Sequence, residues 1–252
     1  MGITYVFVNQ KGGVGKTTSA INIGAYLAEA GKKVLLVDFD SQANLTSGIG
    51  ADGSKPGAYQ LISGQADLAS VTQGTSVRGL YVVPASIDLS GAAVELVELQ
   101  DRDYYLKRAL EPAQAVYDYI LIDCPPSLGV LTLNGLIAAD AVLIPLQCEY
   151  YALEGLSLLL QTVKRIQKNL NPTLQVEGIF FTMFDQRTKL AQDVVRQVTA
   201  YFKDRVFRTI VPRNVRLSEA PSHGVPISQY DALCVGARSY KSLAEEVLKR
   251  GR

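Results

Sequence analysis

Residues 8–18 read Val8-Asn9-Gln10-Lys11-Gly12-Gly13-Val14-Gly15-Lys16-Thr17-Thr18. An apolar, β-rich run over residues 3–8 leads into this stretch, and a helical periodicity over 17–30 leads out of it. Strand, glycine-rich loop and helix in that order, joined by Lys-Thr, are the parts of a phosphate-binding P-loop. Glycines let the backbone turn its N–H groups inward around a phosphate, and the following helix presents the positive end of its dipole. In this frame Lys16 reaches the β- and γ-phosphates, Thr17 can ligate Mg²⁺, and Thr18 is placed for the α-phosphate. The usual spacing, G-x-x-x-x-G-K-[ST], puts a glycine where this chain has Gln10, and the chain instead sets Lys11 beside Gly12 and Gly13. A glycine-rich turn with an unrelated lysine would not bring motif, upstream strand and downstream helix into agreement.

Outward from the loop, short apolar runs recur at 34–37, 80–83, 119–122, 141–146, 176–181 and 208–211, with helical patterns between them at 153–169 and 190–203 and a closing amphipathic segment at 237–249. Alternation of this kind reads as β-α-β units. Nearly continuous apolar strands mean a sheet covered on both faces, so the expected fold is α/β, a doubly wound, mostly parallel sheet with ligands at the strands' carboxyl ends. The segment 48–79, rich in Gly, Ser and Gln, is expected to form a short helix with surface loops. No repeat or low-complexity linker divides the chain, and residues 1–252 are expected to form one P-loop domain.

The 252 residues are 48% hydrophobic and 19% charged, enough for one domain with a sizeable core, which excludes disorder for most of the chain. Lys plus Arg number 25 and Asp plus Glu 24, so bulk charge dictates no polyanionic or membrane partner. No apolar run is long enough to span a bilayer and the amino terminus lacks a secretory pattern, so a cytoplasmic location is expected. Cys124, Cys148 and Cys234 are odd in number and widely spaced, which favours buried reduced thiols over a disulfide framework or a zinc site.

Lys11-Gly12-Gly13-Val14-Gly15-Lys16-Thr17-Thr18 resembles the deviant Walker A box of the ParA/MinD ATPases. The similarity extends through residues 35–40 (Leu-Leu-Val-Asp-Phe-Asp), 122–127 (Ile-Asp-Cys-Pro-Pro-Ser), 147–155 and 211–221, and the last two segments resemble the chromosomal ParA branch, often called Soj, more than MinD. The resemblance implies an ATPase with ATP and Mg²⁺ as ligands, slow without its partner. It also implies that Lys11 crosses a dimer interface to the partner's nucleotide.

Asp38 and Asp40 follow a run expected to lie beside the P-loop strand, which brings both acids to the phosphate end of the sheet. Acids beside a triphosphate serve Mg²⁺ or the attacking water. By resemblance Asp40 orients the hydrolytic water, and Asp38 is either a second functional acid or a structural turn acid. The family usually has Pro and Gly in this switch segment, where this chain has Ser41 and Ala43. Asp123 ends the run 119–122 and matches the Walker B acid that holds Mg²⁺ through water. Pro212 and Asn214 resemble the family's adenine-binding segment, with an ordinary turn as the alternative. A Cys124–His223 nucleophile pair is not expected, since no His lies near Cys124 in sequence.

Charge is unevenly distributed: residues 1–185 hold 12 basic and 18 acidic side chains, and residues 186–252 hold 13 and 6. Such a basic region is compatible with sequence-independent binding of a polyanion. In the resembled family dimers bind non-specific DNA through arginines, and the matching positions are Arg187 and Arg216, with Lys189, Arg213 and Lys241 as weaker additions. The reading is therefore a ParA-type partitioning ATPase: Mg-ATP drives a sandwich homodimer that binds DNA on the nucleoid, and hydrolysis, stimulated by a ParB-type centromere-binding partner, dissolves it. Three rivals are weaker. A membrane-surface ATPase would need a terminal basic amphipathic helix free of the domain, an iron-sulfur reductase would need two cysteines facing the dimer axis, and a scaffold would bind nucleotide without hydrolysing it.

Overall fold

Alternate residues of each central strand bury themselves in two different cores, which is why the strands read as unbroken apolar runs. The computed structural model describes residues 2–96 and 100–251. Within them lie eight strands: β1 (Ile3–Phe7), β2 (Val34–Asp38), β3 (Gln73–Gly74), β4 (Leu80–Val83), β5 (Tyr119–Asp123), β6 (Ala141–Gln147), β7 (Gln175–Phe184) and β8 (Val206–Pro212). Val6, Leu35, Val37, Ile120, Ile122 and Val142 face one core. Tyr5, Phe7, Leu36, Leu121 and Leu143 face the other. At about 1.5–3 kcal/mol for each large apolar side chain fully buried, neither face could be left to water.

Helices supply both covers. On the first face, Val130–Ala138, Ala152–Asn169 and Lys189–Phe202 contribute Leu136, Leu159, Val163, Val194 and Val198. On the second, Lys16–Glu29 and Val235–Arg250 contribute Ile23, Leu27, Tyr240, Leu243 and Val247. The doubly wound architecture is as the sequence predicts.

The strand order is β3-β4-β2-β5-β1-β6-β7-β8, parallel throughout except for the short antiparallel β3 at one edge. This corrects one expectation: β2 does not neighbour β1. β5 lies between them, with Phe7, Asp123 and Asp38 side by side in register. Parallel strands are joined through distant crossovers, so no local turn signal announces which of them pair. Segment 48–79 holds the helices Ala58–Ile62 and Leu68–Val71 and then β3, more structure than the one short helix expected. β3 escaped notice because Gln73-Gly74 carries no apolar run.

The free edge of the sheet is closed by a side chain. Pairing of β8 with β7 shifts register between Ile179 and Phe181, and in that region Arg208 N–H and Thr209 N–H donate to the Glu246 carboxylate of the last helix at 2.9 and 2.8 Å. The Thr209 hydroxyl donates to the same group. Unpaired edge amides are thereby satisfied from within the chain.

Candidate nucleotide-binding site

The loop between β1 and helix Lys16–Glu29 turns through Gly13 and Gly15 at φ 72° and 87°, conformations that a Cβ would strain. Its walls are tied from outside. Asn9 donates to the Pro145 carbonyl at 2.8 Å and accepts from Lys11 N–H at 3.0 Å, and the Thr182 hydroxyl donates to the Val14 carbonyl at 2.8 Å. Lys16 is only 7% exposed, and its ammonium donates to the Asn9 and Lys11 carbonyls at 3.4 Å each. Burial pushes that ammonium down, and the neighbouring Asp123 carboxylate pulls it back up. Gly12, Val14 and Thr18 complete the loop.

Asp123 stands at the end of β5 beside that lysine. The Thr17 hydroxyl donates to Asp123 Oδ2 at 2.6 Å, while Asp123 Oδ1 is buried without a hydrogen-bond partner. Burial first, and then repulsion from Asp38, push the Asp123 carboxyl up to about 8, against the Thr17 hydrogen bond and Lys16. A hydroxyl and a carboxylate with one buried oxygen left over are hard oxygen donors of the kind Mg²⁺ accepts, so these residues fit that ion. Among the described residues no cluster of three or more His, Cys, Asp or Glu side chains could hold a metal by itself.

Asp38 is fully buried. Its Oδ2 accepts from Thr46 N–H at 2.8 Å and from the Thr46 hydroxyl at 2.7 Å, and its Oδ1 accepts from Asp40 N–H at 3.2 Å. This is the geometry of a turn acid, the second of the two alternatives read for it. Burial raises its carboxyl to about 6 against those hydrogen bonds. Asp40 is partly exposed and caps its own turn, accepting from Gln42 N–H at 3.1 Å. Ala43 follows at φ 52°, in the left-handed region. That backbone explains why glycine suits this position, and Ala43 costs roughly 1–2 kcal/mol there. Ser41 lies in the preceding turn with no comparable constraint.

Lys11 lies on the exposed side of the loop and forms an ion pair with Glu149, which follows β6. Beside it Tyr150 and Tyr151 stand 77% and 72% exposed. On the other side of the P-loop, a cavity of about 270 Å³ is lined by Gly15, Thr18, Met183, Pro212, Asn214 and Tyr240, among others. Asn214 Oδ1 is buried without a partner, and Met183 adopts φ 49° at the irregular end of β7. Pro212 and Asn214 thus share a pocket with the P-loop.

Arg187 and Arg216 follow β7 and β8, whose ends are in register at Phe184 and Pro212. Each is already paired: Arg187 makes a two-pronged contact with Asp185 at 2.9 and 2.7 Å, and Arg216 reaches Glu219 at 2.9 Å and Asp231 at 3.5 Å. Lys189 and Arg213 are exposed at the same end of the sheet, and Lys241 is exposed on the last helix. Cys124 and Cys148 are buried free thiols, as expected, with burial pushing Cys148 up to about 12. Cys234 departs from that expectation: it is half-buried, and its sulfur caps the last helix by accepting from Ala237 N–H. His223 packs on the Tyr230 ring. Asn9, Thr46, Glu149 and Thr182 are site residues that the sequence reading did not single out. Only Glu149 carried a signal, as an acid just beyond the apolar run 141–146.

Among the described residues no helix is long and apolar enough to cross a membrane. Residues 3–176 match the model of a family described as AAA domain. The chromosome-partitioning ATPase Soj of Treponema pallidum is 67% identical over 99% of this chain and 98% of its own length. The sporulation initiation inhibitor protein Soj of Bacillus subtilis is 53% identical over 100% of both. A Mycobacterium smegmatis structure described as cobyrinic acid a,c-diamide synthase with bound ATP analogue and magnesium is 37% identical, with a TM-score of 0.86 over 100% of this chain and 98% of that one.

Proposed function

The chain belongs to the ParA/Soj family of chromosome-partitioning ATPases, and from that premise we propose that it is a nucleotide-timed DNA-binding switch. Mg-ATP holds two copies face to face, the dimer binds DNA without regard to sequence, and hydrolysis releases it. The observation that carries this reading is the meeting of Lys16, Thr17 and Asp123 at the P-loop, with Asp123 Oδ1 buried and unpartnered and Lys11 on the exposed side of the same loop.

Backbone N–H groups of residues 12–18 bind and orient the phosphates, and Lys16 supplies positive charge where negative charge builds up on the phosphate oxygens in transfer. Thr17 and, through water, Asp123 would hold Mg²⁺, which neutralises phosphate charge when bound. Asp40 orients the attacking water, and the pocket at Pro212 and Asn214 receives the base. Lys11 exchanges Glu149 for the partner's nucleotide, so that a composite site forms only in the dimer. Arg187 and Arg216, with Lys189 in support, contact DNA phosphates once released from their acids, and pairing two copies multiplies the contacts through effective concentration. A ParB-type protein accelerates the otherwise slow hydrolysis.

Two features speak against the rivals. Ala237, Tyr240, Leu243 and Val247 of the last helix are packed into the sheet, which commits that apolar face to the domain and not to a membrane. Cys124 is 1% exposed and lies against Gly135, away from any open surface. Sedimentation with Mg-ATP, with Mg-ADP and with each plus DNA tests the reading. A faster species with ATP that alone moves with DNA supports it, and a monomer in every condition refutes it.

A further inference from the structure

We infer that Thr46 is a positioning residue for hydrolysis, because its hydroxyl and the buried Asp38 carboxylate together fix the backbone that carries Asp40. This rests on the proposed role of Asp40 as the acid that orients water.

Asp40 itself makes few contacts that could hold it. Its N–H donates to Asp38 Oδ1 at 3.2 Å, its carbonyl accepts from Ala43 N–H at 2.9 Å, and among the described residues its side chain accepts from the nearby Gln42 N–H alone. The chain then passes through Ala43 in the left-handed region, which an alanine does not adopt by its own preference. A turn that runs against local preference has to be held from outside. Here the hold is a bracket whose two ends are Asp38 and Thr46, both buried, at 0% and 2% exposure. One Asp38 oxygen takes both the N–H and the hydroxyl of Thr46, and the other takes Asp40 N–H. Asp40 therefore sits inside a loop whose ends are pinned by one carboxylate.

The Thr46 hydroxyl has a second bond. It accepts from Ala85 N–H at 2.8 Å, so it also fastens the turn to the segment after β4. The hydroxyl is thus both donor and acceptor in a dry site, where such bonds are strongest and where losing one leaves a buried group unsatisfied. Valine has nearly the shape of threonine and can make neither bond. Serine can make both. A bracket that served stability alone would alter the melting temperature and nucleotide binding together, with no selective effect on the chemical step.

The test measures nucleotide affinity, single-turnover phosphate release and thermal unfolding in the wild type, Thr46→Val, Thr46→Ser, Asp40→Ala and the double variant Asp40→Ala/Thr46→Val. In Thr46→Val, phosphate release should fall about ten- to hundred-fold, the range produced by displacing a group that positions a reactant. ATP affinity should stay within about twofold, because uniform binding is not what is lost. Thr46→Ser should restore the rate, and the double variant should be no slower than Asp40→Ala alone, since groups that act as a unit are not additive. A folded Thr46→Val with the wild-type rate overturns the inference, as does a loss that adds to that of Asp40→Ala. Should Asp40→Ala itself retain the wild-type rate, the role of Asp40 is what fails, and the inference falls with it. If Thr46→Val does not fold, Asp38→Asn replaces it: the amide keeps the shape but has one acceptor oxygen instead of two. It should lose rate at unchanged affinity, and a wild-type rate would overturn the inference equally.

Discussion

Thr17 and Asp123 meet at 2.6 Å, and the oxygen of Asp123 that Thr17 does not use is buried with nothing to accept from. Asp38 lies in register on the adjacent strand, so two carboxyls are packed at the end of the sheet, one pushed up to about 8 and the other to about 6. Both native-state values lie above the usual unfolded value for aspartate of about 3.9. Between the unfolded and folded values the native state holds protons that the unfolded chain has released, so stability falls as pH rises. For Asp123 that window runs from about 4 to about 8. The nucleotide-free protein should therefore melt lower at pH 8 than at pH 6, and Asp123→Asn should flatten that slope. Thermal unfolding across pH 5–9 checks it, and an unchanged slope in Asp123→Asn would contradict the assignment.

Asp40→Ala should bind Mg-ATP, dimerise and remain dimeric, because Lys16, Thr17 and Asp123 are untouched and only the water's position is lost. Phosphate release should drop by about a hundredfold, the lower range for losing a positioned general-base-type group. Release at the wild-type rate would move that role elsewhere.

DNA affinity should fall steeply with salt and be indifferent to sequence, and each arginine contact removed by Arg187→Ala or Arg216→Ala should reduce the log–log salt slope by about one. Because both side chains are held by acids of the same chain, the variants should leave folding and ATP-dependent dimerisation intact. Titrations on two unrelated duplexes at several salt concentrations check this. Equal slopes for wild type and double variant would remove the arginines from the interface.

Glu246→Ala should destabilise the fold without touching the nucleotide site. It removes the acceptor for Arg208 N–H, Thr209 N–H and the Thr209 hydroxyl at the sheet's free edge, a loss of about 1–3 kcal/mol for groups left unsatisfied. The midpoint in urea should fall with nucleotide affinity unchanged. A midpoint equal to the wild type's would show that the edge is satisfied by other means.

What could be read from the sequence was what is local. Residues 9–18 are one contiguous stretch of loop and first helical turn, so spacing alone placed Lys16 and Thr17 where that loop meets its helix, and strands covered on both faces betrayed themselves as apolar runs. What could not be read was what joins distant segments. Asn9 meets Pro145 across 136 residues, Thr182 meets Val14 across 168, and Lys11 meets Glu149 across 138. The insertion of β5 between β1 and β2 belongs to the same class. It places Asp123, rather than Asp38, next to the P-loop strand. Asp38 lay between the two cases: its position on a strand end was visible, but the hydroxyl that claims it is eight residues away, in the short helix Asn44–Gly48 that Ala43 leads into.

In the proposed switch, nucleotide joins two copies through the exposed lysine of the loop, which each copy lends to the other. The Lys11 ammonium pairs with Glu149, while the Lys11 bonds that shape the loop, to the Asn9 side chain and from Lys16, are made by its backbone, so Lys11→Ala should leave monomer folding and ATP binding intact. Sedimentation velocity of wild type and Lys11→Ala, each with Mg-ATP at matched saturation, is the most direct measurement. The wild type should sediment as a dimer and the variant as a monomer, and a Lys11→Ala protein that still dimerises with ATP would contradict the crossing role of Lys11.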